Sequence, residues 1–349
     1  PLGAVLREYV VSEAMAAFNV PTTRALAAVT TGEPVYRERA LPGAVLTRVA
    51  ASHIRVGTFQ YFAARQDEEA LRLLADHVIA RHYPEATEAD SPYVSLLFRI
   101  VDRQASLIAK WMGLGFIHGV MNTDNMAVSG ETIDFGPCAF MDEYHSMKVF
   151  SSIDQHARYA FDNQPKIAQW NLVALAQALL KIFPGDQEKQ VAAAQAAIDT
   201  FAVKFHTAWM AEMRKKLALE GEDEGDEALI HTLLSEMEAA KADFTLTFRG
   251  LFDGSVRNQF ADPTGFDKWE KDWRRRGVIE ESLNKVNPVY IPRNHRVEAV
   301  IAAAEIGDFS LFHEMVDVLA CPYDEQPGKA DYALSPKAEE VVHQTFCGT

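Results

Sequence analysis

The alternation of apolar and polar positions along the chain predicts its elements. Val5, Leu6, Tyr9, Val10 and Ala14 fall on one face of a helix running from Val5 to Phe18, which Pro21 closes. Arg24 to Thr30 and Val45 to Val49 read as short strands with a Gly32-Glu33-Pro34 turn between them. Glu68 to His82 is helical up to Pro84, and Tyr93 to Leu114 is a long amphipathic helix followed by Gly115. From His118 to Asp142 the texture changes to short strands and tight turns: Met126-Ala127-Val128, then Ser129-Gly130, then Thr132 to Phe135. Beyond about residue 165 the pattern is helical, over Trp170 to Ile182, Gln187 to Leu219, Ala228 to Ala242 and Val297 to Glu305. Glu220 to Glu227 (EGEDEGDE) reads as a solvated acidic loop. No internal repeat is visible. The order of elements predicts an α+β fold with a large helical half.

Composition narrows the class. The apolar set is 48% and the charged set 24% of 349 residues, enough for a sizeable core. The net charge of −15 argues against wrapping a nucleic acid through the bulk surface, although a few arginines can still surround a phosphate. Three cysteines (Cys138, Cys321, Cys347) are too few and too scattered for a disulfide framework. No stretch has the length and apolarity of a membrane span, and no signal peptide is visible. The chain opens at Pro1 without Met, directly into a helical pattern. That reads as a fragment, with room upstream for a targeting segment.

The chemistry concentrates in one island. His118-Gly119-Val120-Met121-Asn122-Thr123-Asp124-Asn125 is followed, after eight residues, by Asp134-Phe135-Gly136. Protein kinases carry H-R-D-x-x-x-x-N and then D-F-G, in which the Asn and the second Asp hold magnesium on ATP. His118, Asn125 and Asp134 match that frame, and Gly119 and Val120 replace the Arg and the catalytic Asp. Both Asn125 and Asp134 offer the hard oxygens that Mg²⁺ takes, and a hairpin through Gly130 would return Asp134 beside Asn125. Val120 cannot serve as a base, and Asp124 is the only carboxylate in the loop. Either Asp124 acts as base from a shifted position, or the fold binds nucleotide without phosphorylating.

These stretches resemble the selenoprotein O (SelO, or YdiU) family of kinase-fold protein adenylyltransferases. The resemblance is carried by Leu6-Arg7-Glu8-Tyr9 with Ser12 to Met15, Pro21-Thr22-Thr23-Arg24-Ala25-Leu26, and Arg48-Val49-Ala50 with Ser52-His53-Ile54-Arg55. It continues through His118 to Met126, Asp134-Phe135-Gly136-Pro137, Phe161-Asp162-Asn163-Gln164-Pro165 and Pro322 to Pro327. It implies a protein-kinase-like fold: residues 1–60 as a partial N-lobe, 61–285 as the C-lobe and 286–349 as a helical C-terminal extension. It implies transfer of AMP from ATP, bound flipped, to Ser, Thr or Tyr hydroxyls of proteins, with release of pyrophosphate and with Mg²⁺ or Mn²⁺. Asp124 would be the base, Asn125 and Asp134 the metal ligands. Glu8 would be the glutamate that pairs with the ATP-site lysine, and Arg48 and Arg55 would grip the terminal phosphate. The family's glycine-rich loop and strand lysine lie upstream of the matched region. The expected partners are protein substrates, with neither nucleic acid nor membrane, and the expected location is the cytoplasm. The alternatives are a non-catalytic pseudokinase or truncated nucleotide-binding scaffold, and a phosphate-transferring kinase.

Three further expectations concern His118, the 158–165 segment and a pair of cysteines. His118 would orient the loop. Arg158 to Pro165 reads as a buried polar brace following the activation segment, with an alternative role in presenting substrate. A reversible Cys138–Cys347 disulfide is a candidate switch, since the family associates a C-terminal cysteine or selenocysteine with redox regulation; two ordinary cysteines are the plainer reading.

Overall fold

The computed structural model describes residues 1–37 and 39–346. The elements are α1 (Leu2–Ala17), β1 (Arg24–Tyr36), β2 (Ala40–Val49), α2 (Val56–Ala64), α3 (Glu68–His82), α4 (Pro92–Leu114), β3 (Phe116–Ile117) and β4 (Ala139–Phe140). They continue as α5 (Gln164–Leu179), α6 (Gln187–Lys216), α7 (Asp226–Ala240), α8 (Phe244–Asp253), α9 (Thr264–Arg276), α10 (Leu283–Val286), α11 (Asn294–Glu305) and α12 (Ser310–Ala320). The chain is a mixed α/β protein, mostly helical, with two small antiparallel sheets, β1–β2 and β3–β4.

Local chemistry accounts for most boundaries. Asp67 caps α3 by accepting the Ala70 N–H at 3.0 Å, with Glu68 and Glu69 in the first turn and Arg81 and His82 in the last, all aligned with the helix dipole. Pro92 opens α4 and Gly115 closes it at φ +69°, a left-handed conformation suited to glycine. Asp186 caps α6.

Several sequence expectations shift. Strand β1 runs on to Tyr36 and β2 starts at Ala40, so the strands continue past Gly32-Glu33-Pro34 instead of turning there. Gly32, at φ +76°, lies in a register irregularity between Thr30 and Pro34, so the glycine and proline make a bulge. Gly130 does form a turn at φ +79°, yet its two arms do not pair with each other. Ala127 bridges Arg55 and Thr132 bridges Thr22. The acidic block is not wholly solvated either. Asp226 is fully buried, held by Arg214 at 2.7 Å and Arg276 at 2.6 Å. Helices α2, α8, α9, α10 and α12 are not among the periodic stretches.

The site is framed by two packing units. Helix α1 packs on β1 and β2 on one side and on α11 and α12 on the other. Helix α4 packs along α6 and against α5, burying Leu97, Ile100, Ile108 and Trp111. The island from 118 to 138 leaves the short β3–β4 ladder, where Phe116 pairs with Phe140 and Ile117 with Ala139, and returns to it.

Candidate active site

The first arm of the island is rigid by hydrogen bonding. Asn122 Oδ1 accepts the Asp124 N–H at 2.9 Å, capping a single 3₁₀ turn over Thr123–Asn125. Asn125 Nδ2 donates to the Val120 carbonyl at 3.0 Å, which leaves Oδ1 for another partner. From α5, Asn171 donates to the Met121 carbonyl at 2.9 Å. Gln164 donates to the Phe116 carbonyl at 2.9 Å and accepts the His118 N–H at 3.0 Å. Gln164 thus supplies the brace expected of the 158–165 segment.

His118 ties the two arms together. Its Nε2 lies 2.9 Å from the Ile133 carbonyl, an acceptor, and its Nδ1 lies 3.4 Å from the Val120 N–H, a donor. The ring is therefore neutral with the proton on Nε2. Burial pushes its pKa down, in keeping with that form. It orients the loop, as expected.

Asp134 stands at φ +68°, a left-handed conformation that Asp tolerates, and its Oδ1 accepts the Gly136 N–H at 3.2 Å. The next residue is fixed from far away. Glu8 of α1 accepts the Phe135 N–H at 2.6 Å with Oε2 and an Arg48 N–H with Oε1. The buried glutamate thus joins β2 to the D-F-G segment. Arg48 is engaged with Glu8 rather than standing open.

Asp124 lies against the start of α2. A Cβ added at Gly57 would come within 2.2 Å of Asp124 Oδ1, so glycine is the residue that permits this approach. Arg55 sits at the N-cap of α2; its N–H donates to Thr58 Oγ1 at 3.1 Å and its guanidinium to the His53 carbonyl at 2.8 Å. Val56 N–H donates to the Met126 carbonyl and Val128 N–H to the Ile54 carbonyl, each at 3.0 Å, tying α2 to the island. Glu8, Arg48, Arg55, Asp124, Asn125 and Asp134 therefore all attach to one loop system. Gly57, Gln164 and Asn171 complete it. An asparagine on the buried face of an otherwise apolar helix was the available signal for Asn171; nothing local marked Gly57.

The donor set suits a divalent cation and a phosphate. Asn125 and Asp134 keep oxygens for a hard metal. The Nε atoms of Arg48 and Arg55 are buried without a partner, while another N–H of Arg48 is engaged with Glu8 and one of Arg55 with the His53 carbonyl. No group of three or more His, Cys, Asp or Glu suited to a metal occurs among the described residues, so a metal here would rest on the Asn–Asp pair and on substrate oxygens.

Comparison with known proteins shows the family. The model of the family described as protein adenylyltransferase SelO matches residues 2–320. The chain belongs to the SelO family. A protein nucleotidyltransferase YdiU from Bradyrhizobium sp. strain ORS 278 is 58% identical over all of this chain and 74% of its own length. Proteins of the same name from Rhizobium etli and Rhodopseudomonas palustris are each 56% identical over the whole chain, covering 73% and 74% of their lengths.

For this SelO-family chain, Cys138 is buried and its Sγ lies 3.1 Å from the Phe135 carbonyl; burial pushes the thiol pKa up, which disfavours the reactive thiolate. Thr345 donates from Oγ1 to the Pro137 carbonyl, bringing the C-terminal tail next to that segment. Cys347, the expected partner, lies outside the described residues. No helix among the described residues is long and apolar enough to cross a membrane.

Proposed function

We propose that the chain is a protein adenylyltransferase that moves AMP from ATP to hydroxyl groups of proteins. The observation that carries this reading is the joint anchoring of Asp124, Asn125 and Asp134 on one braced loop, in a chain of the SelO family. A protein-kinase-like fold is part of the same reading, with residues 1–60 as a partial N-lobe, 61–285 as the C-lobe and 286–349 as the extension.

Asp124 is the base. It accepts the proton of a Ser, Thr or Tyr hydroxyl as that oxygen attacks the α-phosphorus, and the bond from the α-phosphorus to the bridging oxygen breaks to release pyrophosphate. Arg55 and Arg48 donate to phosphate oxygens through guanidinium N–H groups. Asn125 and Asp134 would hold Mg²⁺ or Mn²⁺. When bound, the metal neutralises charge on the phosphates. Glu8 holds the backbone of Phe135 and so the direction of Asp134.

Intact mass spectrometry after incubation with ATP and Mg²⁺, alone and with acceptor proteins, tests the reading. An added AMP, absent in Asp134→Ala, is the expected result. An added phosphate moves the reading to a kinase, and no adduct on chain or acceptors moves it to a nucleotide-binding scaffold.

A further inference from the structure

A cavity of about 500 Å³ lies away from the loop just described, between the segment that follows D-F-G and helices α5, α6 and α7. Its volume is in the range of small-ligand sites. Asp162 and Glu238 line it, together with Tyr144, Trp209, His231 and Phe244. Ser146 holds the two acids in place. Its N–H and Oγ donate to Glu238 Oε1 at 3.2 and 2.9 Å, and its carbonyl accepts the Asp162 N–H at 3.0 Å.

Neither carboxylate has a lysine or arginine in direct contact. Among the described residues no lysine or arginine forms a salt bridge to either one; His145 lies 3.5 Å from Glu238, and His231, Lys166 and His145 act on Asp162 from further off. Burial, and then Glu238 beside it, push the Asp162 carboxyl pKa up against smaller opposing effects of His231, Lys166 and His145. The walls are aromatic. Trp209 lies with its ring 5.3 Å from that of His231, and Tyr144 packs 6.0 Å from Phe244. Aromatic faces attract cations, above all those with a flat or alkyl body. A bare metal ion would find two carboxylates and mostly aromatic carbon where it needs a full oxygen shell. An anion would meet two acids.

We propose that this cavity binds a guanidinium or ammonium group on an alkyl stem, and that its occupant is an arginine or lysine side chain of the protein being modified. The substrate part of this assignment rests on the adenylyltransferase reading. Its position supports it. Asp162 immediately precedes the Asn163-Gln164 pair, and Gln164 holds both Phe116 of β3 and His118 at the head of the loop. Tyr144 and Ser146 belong to the segment leaving Asp134-Phe135-Gly136. An acceptor peptide seated along that segment would bring a basic side chain to the cavity and its hydroxyl toward Asp124. A planar guanidinium can donate to both carboxylates at once, which favours arginine over lysine.

The test is calorimetric titration, without nucleotide, of N-acetylarginine methylamide and of its uncharged citrulline counterpart. The arginine probe should bind at least about tenfold more tightly. Asp162→Asn and Glu238→Gln should each remove most of that preference while circular dichroism melting stays close to that of the parent. The second variant keeps an acceptor for Ser146, so it guards against a folding artefact. Equal binding of the two probes, no binding of either, or an unchanged preference in both variants overturns the site. The source is read with serine-containing peptides that carry or lack one arginine. Tighter binding of the arginine peptide than of the single amide upholds the substrate assignment, and equal binding overturns it in favour of a free cationic metabolite. If the arginine peptide binds but receives no AMP from ATP, the adenylyltransferase reading fails while the cation site stands.

Discussion

Glu8 and Phe135 meet across 127 residues of sequence, the glutamate accepting the phenylalanine backbone N–H at 2.6 Å while its second oxygen takes Arg48. One buried carboxylate thus satisfies two donors that belong to different parts of the fold. Glu8→Ala leaves a buried N–H and a guanidinium without their acceptor, which costs about 3 kcal/mol. Glu8→Gln, which retains an acceptor oxygen, costs less. Urea unfolding of the two variants should rank them in that order, and nucleotide binding should fall furthest in Glu8→Ala, where nothing holds the Phe135 N–H and Asp134 is no longer directed.

Asp134→Asn separates metal binding from folding. Asparagine tolerates the left-handed backbone at this position and can still accept the Gly136 N–H. Stability should change by about 1 kcal/mol or less. Mg²⁺-dependent ATP binding should fall by at least about tenfold, the loss of one charged ligand. Titration of ATP with and without Mg²⁺ measures this.

Gly57→Ala sets stability and activity moving in opposite directions. Alanine inside a helix is favoured over glycine by about 1 kcal/mol. Here its methyl group would stand 2.2 Å from Asp124 Oδ1, the mobile end of the side chain, which must swing away. Unfolding should be unchanged or slightly later. AMP transfer should drop about 10²-fold, as expected when a reacting group is misplaced by about an ångström.

Asp226 contributes a pH-dependent stability. Burial alone would raise its carboxyl pKa, but hydrogen bonds from Arg276 and Arg214 bring it below the ordinary range. A carboxyl lowered in the folded state stabilises the fold above its unfolded value, near about 3.9, and that contribution disappears as pH falls through the folded value. Asp226→Asn should cost about 3 kcal/mol at pH 7. The gap from the parent should close in urea titrations run in the acid range, below the folded pKa.

Legibility differed sharply between elements. Glu68 to His82 matched to the residue, because an N-cap, an acidic first turn, a basic last turn and a following proline all agree on its ends. The long helix to Leu114 ended at Gly115 for a similarly local reason. The Gly32-Glu33-Pro34 turn failed because a bulge can absorb glycine and proline within a long hairpin, and only cross-strand pairing distinguishes the two. Asp226 was hidden for a different reason. Its neighbours are acidic and exposed, while Arg276, one of its partners, lies 50 residues away.

At the candidate site the residue types and their spacing already named Asp124, Asn125 and Asp134, since metal and phosphate chemistry needs those functional groups in short succession. Family membership was legible in the same motifs. Tertiary structure decided what each group is paired with. It gave Arg48 to Glu8, gave the arms of the Gly130 turn to Arg55 and Thr22 instead of to each other, and set Gly57 under Asp124. Spacing along the chain carries chemistry and local propensity. The pairing of buried charges and backbone donors depends on which distant segments share the core, and that is settled only when the whole chain has packed.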